Sequence, residues 1–245
     1  MSDLIRKEAL YPQVRSPENP IELDSVASPP HRSGSIGINF DHGYGATKRK
    51  IDVVLSAIAL VFFFPLMALL AVLIKLTSPG PAVFSQSRIG FGGRQFKCYK
   101  FRTMVNDADE QLAKLLATCP AAQQEWKKDQ KLRNDPRITK IGIWLRKLSL
   151  DELPQLFNIL KGDMSIVGPR PIIEDECQKY GTYFLHYCSV KPGLTGLWQV
   201  SGRNNLSYDK RVELDATYAR EQSLALDCKI IWMTLPAVLL SRGSY

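Results

Sequence analysis

Apolar and polar positions divide the chain unevenly. From Val53 to Ile74 the sequence runs VVLSAIALVFFFPLMALLAVLI, 22 residues without a charge. As a helix this stretch is about 33 Å long, enough to cross the apolar layer of a bilayer. It lacks the polar face that a helix in a soluble core normally shows. Lys48, Arg49 and Lys50 precede it, and Lys75, Arg88, Arg94, Lys97, Lys100 and Arg102 follow it. Positive charge collects on the cytoplasmic side of a membrane segment, so both ends ask for the same side. Pro65, near the middle, removes a backbone donor and crowds the carbonyl of Val61. The pattern therefore predicts a membrane helix over 48–76 that breaks sharply at Pro65, dips into the bilayer and returns. A single span with a mild proline kink is the alternative.

Beyond the turn cluster Ser78-Pro79-Gly80-Pro81 the periodicity changes. AVFSQSRIG and RQFKCYKFRTM, on either side of Gly90, Gly92 and Gly93, predict a hairpin in which Phe96, Cys98 and Phe101 alternate with a basic face of Lys97, Lys100 and Arg102. The glycines complete neither common phosphate-loop motif, so a turn accounts for them. Lys100 and Arg102 are either phosphate contacts or parts of a solvated strand face. Residues 106–134 read as polar helix anchored by Leu112, Leu115, Leu116 and Trp126. Ile138, Ile141, Leu145 and Leu148, interleaved with Lys140, Arg146 and Lys147, predict a basic amphipathic helix suited to a phosphate-rich lipid surface. Lys191 to Gly196 and Ser201 to Asn204 read as turns around a short strand, Leu197 to Val200. The apolar stretch from Leu224 to Leu240 is interrupted by Asp227, Lys229 and Pro236, which leaves 11 uncharged residues, too few to span. It either lies along the interface or packs on the core.

Composition narrows the class of protein. With 245 residues and 45% hydrophobic content there is material for a true core. The net charge of +8 calls for an anionic partner. That charge is uneven: residues 1–47 carry net −2, are rich in proline and predict a disordered tail, while 48–245 carry net +10. Five scattered cysteines without a C-x-x-C argue against a secreted disulfide framework and a zinc site. Three histidines at no ligand spacing leave little for a transition metal or a serine–histidine triad. Carboxylates, lysine and arginine remain to carry chemistry.

The segment LSLDELPQLFNILKGDMSIVGPRP, Leu148 to Pro171, concentrates them. Asp151 and Glu152 are adjacent and open an apolar-periodic stretch just after Arg146 and Lys147. One reading is structural, with Ser149 capping a helix and Glu152 completing a capping box. The other is chemical: a carboxylate held ionised by the helix terminus and Arg146 can attack phosphorus or ligate magnesium. Arg170 sits between two prolines whose fixed torsions preorganise it to fork onto a phosphate, and Arg203, in the turn Ser201 to Asn204, is another candidate phosphate ligand.

Taken together, KRKIDVVLSAIAL, IKLTSPGPAVFSQSRIGFGGRQFKCYKFRTM, LRKLSLDELPQLFNILKGDMSIVGPRP, KPGLTGLWQVSGRN and YDKRVELDATYA resemble the bacterial sugar transferases that prime glycan assembly on polyprenyl phosphate, the monotopic phosphoglycosyl transferases. The size and the closing SRGSY are similar to the short members that initiate exopolysaccharide with galactose phosphate from UDP-galactose. The resemblance implies that Asp151 is a nucleophile attacking the β-phosphorus of a UDP-sugar and that Glu152 is its partner carboxylate. It also implies that magnesium, Lys100, Arg146, Arg170 and Arg203 hold the phosphates, with Asp215 a further site candidate and Asp151 the metal ligand. It favours the re-entrant helix, although Phe64-Pro65 stands where the family usually has Ser-Pro.

The expected architecture is a helix-rich, mixed α/β protein. It has a tail (1–47), a re-entrant membrane helix (48–76) and a cytosolic catalytic domain (77–245) with short strands and amphipathic interfacial helices. The expected reaction moves galactose 1-phosphate from UDP-galactose, or glucose 1-phosphate from UDP-glucose, to undecaprenyl phosphate at the cytoplasmic face of the inner membrane. No nucleic-acid partner is expected, and a homodimer is left open. The alternatives are a single-span anchor carrying a basic nucleic-acid-binding or scaffold domain, and a plain glycosyl transferase that releases UDP rather than UMP.

Overall fold

A computed structural model describes residues 42–129, 132, 134–202 and 206–239. Residues 1–41, Arg203 and the closing SRGSY lie outside the described residues. Helix α1, His42–Thr77, starts six residues before the expected boundary and runs through Pro65 without interruption. The sharp break expected there is thus not an interruption of the helix. Pro65 lies on the exposed side, and the helix absorbs the one donor it removes.

Composition gives α1 no polar face, yet its burial is one-sided. Asp52, Ser56, Met67, Leu70 and Ile74 are buried, and Ala59, Leu60, Phe63 and Leu66 are partly buried between them. Val54, Ile58, Val61, Phe62, Phe64, Leu69, Val72 and Leu76 are exposed. The buried positions recur every three to four residues, so one stripe of the helix faces the rest of the protein along most of its length. Near its start, Arg49 donates to the carbonyls of Ile159 and Leu160 at 2.5 and 2.7 Å, and Lys48 pairs with Asp227 at 2.6 Å. Near its end, Met67, Leu70 and Ile74 pack with Ala82, Phe101 and Leu145.

Asp52 is the polar anchor of this stripe. It is 4% exposed and accepts from Ser165 Oγ at 3.1 Å and the Ile166 amide at 3.0 Å. Asp52→Ala should cost about 2–3 kcal/mol, because a buried hydroxyl and amide lose their acceptor. Asp52→Asn should cost less than half of that. Thermal unfolding of the detergent-solubilised variants reads the difference.

The strands are short. β1 (Val83–Ile89) and β2 (Gln95–Phe101) form an antiparallel hairpin in which Phe84 faces Lys100, Gln86 faces Cys98 and Arg88 faces Phe96. The strand period of two puts Lys100 on the face of Phe96 and Cys98, with Phe101 on the other face beside Lys97. This corrects the grouping expected from sequence, since Cys98 and Phe101 are three apart and cannot share a strand face. Arg102 is not a phosphate contact. It is buried and donates to the carbonyls of Ser78 and Pro79 and to Asn106 at 2.6–2.7 Å, fastening the turn after α1.

Helices α2 (Ala108–Thr118) and α3 (Pro120–Asp129) occupy the polar region, and Thr139 caps α4 (Lys140–Lys147) through the Gly142 amide. After α5 (Gln155–Lys161) the chain enters β3 (Ser165–Val167), which pairs in parallel with β4 (Gly193–Thr195). The residues expected as a strand, Leu197 to Val200, instead form α8 (Leu197–Ser201), after the short helices α6 (Cys177–Tyr180) and α7 (Phe184–Cys188). The strand falls on the stretch read as a turn because Gly193 can approach the backbone of Gly168, where any Cβ would collide. Helix α9 (Tyr208–Glu221) follows. The last helix, α10 (Leu224–Leu239), packs on the core: Ile230 is fully buried, and Asp227 receives the Tyr218 hydroxyl at 2.7 Å.

Candidate active site

Asp151 and Glu152 do not open a helix. They belong to a 3-10 turn, Leu150–Glu152, between α4 and α5, and α5 begins only at Gln155, after Pro154. Ser149 makes no side-chain cap hydrogen bond. Its φ of 56° is the one positive value for a non-glycine among the described residues, in the left-handed region that a side chain rarely adopts. The capping-box arrangement is therefore not formed. Glu152 instead receives the Lys100 ammonium at 2.6 Å.

Glu152 and Lys100 stand in the wall of a cleft that Arg88, Cys98, Gln155, Arg170 and Gln199 also line. Each comes from a different constraint. Lys100 and Cys98 share the β2 face turned toward α5, where Asn158 fixes β2 by accepting the Tyr99 amide at 3.0 Å and donating to the Lys97 carbonyl at 2.7 Å. Arg170 is presented by the Gly-Pro-Arg-Pro segment after β3. Gly168 donates to the Thr195 carbonyl at 2.9 Å, and Gly193 donates to that of Pro169 at 2.7 Å. With a proline on each side, the Arg170 backbone has little freedom left.

Arg146 lies on the other side of the dyad, its Nε donating to Thr103 Oγ1 at 3.0 Å. Burial weakens its charge, and Asp151 and then Asp135 support it. No side chain hydrogen-bonds the Asp151 carboxylate among the described residues. Asp215 is not in the cleft wall. It is fully buried on α9, accepts the Tyr180 hydroxyl at 2.8 Å, and burial pushes its carboxyl well above the ordinary range. Arg88, Gln155 and Gln199 are cleft residues that sequence reasoning did not single out. Gln155 lies three residues past Glu152 and is 2% exposed, a polar residue in an apolar run that signals a role.

The two carboxyls are pushed apart in acidity. Burial, then the neighbouring Glu152 charge, raises Asp151 to about 6 against the attraction of Lys100 and Arg146. Burial also pushes Glu152 up, but Lys100 and Arg170 outweigh it and hold the carboxyl below its usual value. Glu152 is thus the fixed anion and Asp151 the carboxylate whose charge changes near neutrality. If ionised Asp151 is the reacting form, kcat/KM falls about tenfold for each pH unit below about 6. The stability contribution of Asp151 runs the other way. Its folded carboxyl binds a proton more tightly than the unfolded one, so stability from this residue declines as pH rises through that same window. Initial rates and unfolding midpoints from pH 5 to 8 check both signs.

The family model described as bacterial sugar transferase matches residues 43–241. The chain is 50% identical over 201 residues to exopolysaccharide production protein ExoY of Rhizobium meliloti (strain 1021), covering 82% of this chain and 89% of that protein. It is 51% identical over 199 residues to the undecaprenyl-phosphate galactose phosphotransferase of Salmonella typhimurium, covering 81% of this chain and 41% of that protein. It is 40% identical over 217 residues to the UDP-glucose:undecaprenyl-phosphate glucose-1-phosphate transferase of Xanthomonas campestris pv. campestris, covering 85% of this chain and 42% of that protein. With the family model over four fifths of the sequence, and one carboxylate of the adjacent pair, Glu152, lining a cleft with Arg88, Lys100 and Arg170 in the matched region, the chain belongs to the bacterial sugar transferases.

Proposed function

We propose that this enzyme moves a hexose 1-phosphate, galactose 1-phosphate foremost, from a UDP-sugar to undecaprenyl phosphate, releasing UMP, in the first step of exopolysaccharide assembly. The observation that carries the reading is the 2.6 Å Lys100–Glu152 contact, which holds Glu152 in the cleft wall, next to Asp151 in sequence, rather than in a helix cap. The names of the relatives support the substrate class, and galactose occurs in the name of one about half identical to this chain.

The proposed reaction is two successive displacements at one phosphorus. An Asp151 oxygen attacks the β-phosphorus of the donor. The bond from that phosphorus to the bridging oxygen breaks, UMP leaves, and the sugar phosphate is held on Asp151 as an acyl phosphate. An oxygen of undecaprenyl phosphate then attacks the same phosphorus, and the carboxylate returns. Neither displacement requires a net proton. Lys100 and Arg170 neutralise the phosphates on the Glu152 side, and Arg146 steadies the Asp151 charge from the opposite side.

Magnesium suits this donor set. The ion takes oxygen ligands, often one or two carboxylates completed by substrate phosphates and water. Asp151, with Glu152 beside it, offers that number, and among the described residues there is no cluster of three or more metal-binding side chains. Asp151 is the residue that would hold the ion, which supplies charge neutralisation to the diphosphate.

A re-entrant seat for α1 at the cytoplasmic face completes the reading. It is supported by the basic residues at both ends of the helix and by contacts of both ends with the same catalytic unit. The test is nucleotide release. Membranes containing the enzyme, given UDP-galactose, undecaprenyl phosphate and magnesium, should yield UMP. Release of UDP would make the reaction a plain glycosyl transfer.

A further inference from the structure

The hairpin delivers a further arginine to the cleft. Arg88 lies on the β1 face that also bears Gln86, paired with the β2 face of Cys98 and Lys100. Its side chain is only 15% exposed. Nη1 donates to the Pro171 carbonyl at 3.0 Å and Nη2 to Gln86 Oε1 at 2.7 Å. The Glu176 carboxylate, 3.8 Å from Nη1, stands beyond hydrogen-bond reach. A guanidinium has five N–H donors, and those two bonds spend two of them.

Arg88 and Arg170 therefore share one cleft wall. Two like charges do not assemble without a constraint, and burial followed by Arg170 lowers the affinity of Arg88 for its proton. The constraint is visible behind them. The buried Tyr187 hydroxyl donates to the Ile89 carbonyl at 2.7 Å and accepts the Ile172 amide at 3.2 Å, and the Ile89 amide donates to the Ile172 carbonyl at 2.9 Å. These bonds tie the residue after Arg88 to the segment that bears Arg170. Such a pair of guanidiniums matches the two charges of a diphosphate, each able to fork onto one phosphate.

We propose that Arg88 is a further substrate-binding residue that, with Arg170, clasps the diphosphate of the nucleotide donor, and that Tyr187 is the positioning residue that sets their spacing. This rests on the UDP-sugar reading above. Binding of UDP, UMP and uridine to the full-length enzyme in detergent, followed by isothermal titration calorimetry, tests it. In the wild-type enzyme UDP should bind more tightly than UMP. Arg88→Met should weaken UDP about 10- to 100-fold, weaken UMP less and leave uridine unchanged. Tyr187→Phe should show the same selectivity at smaller size. Equal weakening of all three ligands by Arg88→Met, or none, would overturn the proposal. Should that variant not fold, Arg88→Lys, which keeps the charge and loses the fork, carries the same comparison. If the wild type binds UDP and releases UMP while Arg88→Met matches it, only this inference fails. If the wild type releases UDP from the donor, the underlying reading fails instead.

Discussion

Asp151→Asn should abolish UMP formation, lowering turnover by at least about 10³-fold, as loss of a nucleophile does in other covalent mechanisms. Asparagine keeps the shape of the side chain and removes the attacking oxygen's charge. Stability provides an independent reading. Burial and Glu152 both oppose the Asp151 charge, so its removal should leave the unfolding midpoint at pH 7.5 unchanged or raised. A structural carboxylate would behave in reverse, with activity kept and stability lost. Labelled UDP-galactose without the lipid acceptor should mark the wild-type protein covalently and leave the Asn variant unmarked. Substantial UMP release by Asp151→Asn would end the covalent reading.

Lys100→Met should be nearly as severe, with a loss of about 10²- to 10³-fold, the usual cost of one preorganised charge donor at a reacting centre. Lys100 neutralises two groups together. It pairs with Glu152 at 2.6 Å and pulls the pKa of both members of the dyad down. Without it Asp151 binds its proton more tightly, and the acid limb of the pH–rate profile moves above the wild-type position near 6. At neutral pH part of the loss is then an unreactive, protonated Asp151. Raising the pH toward 9 should recover that part. A uniform loss at every pH would mean that Lys100 acts on substrate alone.

Legibility in the sequence followed the range of the interactions. The uncharged run of α1 and the turn after it are local features, and each lies where periodicity and residue type put it. Pairing across the chain was not legible. Nothing near Gly193 announces that it lies against Gly168, so its strand was read as a turn and the following helix as a strand. Arg88 read only as one of the charges after the apolar run, and Arg102 as a candidate phosphate contact on the hairpin's basic face. One reaches the cleft and the other closes a turn, because strand parity and the carbonyls of Ser78 and Pro79 decide between them. The capping box was a sound local expectation defeated by a residue 52 positions away, since Lys100 takes the glutamate that the cap required.

The buried stripe along α1 has a practical consequence. Asp52 secures β3, which leads into the Arg170 segment, while Met67, Leu70 and Ile74 fill the core against Phe101, one residue from Lys100. A protease or a truncation boundary placed after Thr77 would not liberate a working soluble enzyme. It would strip a wall from the interior, and the remaining piece would present bare apolar surface and aggregate. Removal of α1 is therefore a core deletion, because the long apolar helix and the hydrophobic core are one structure.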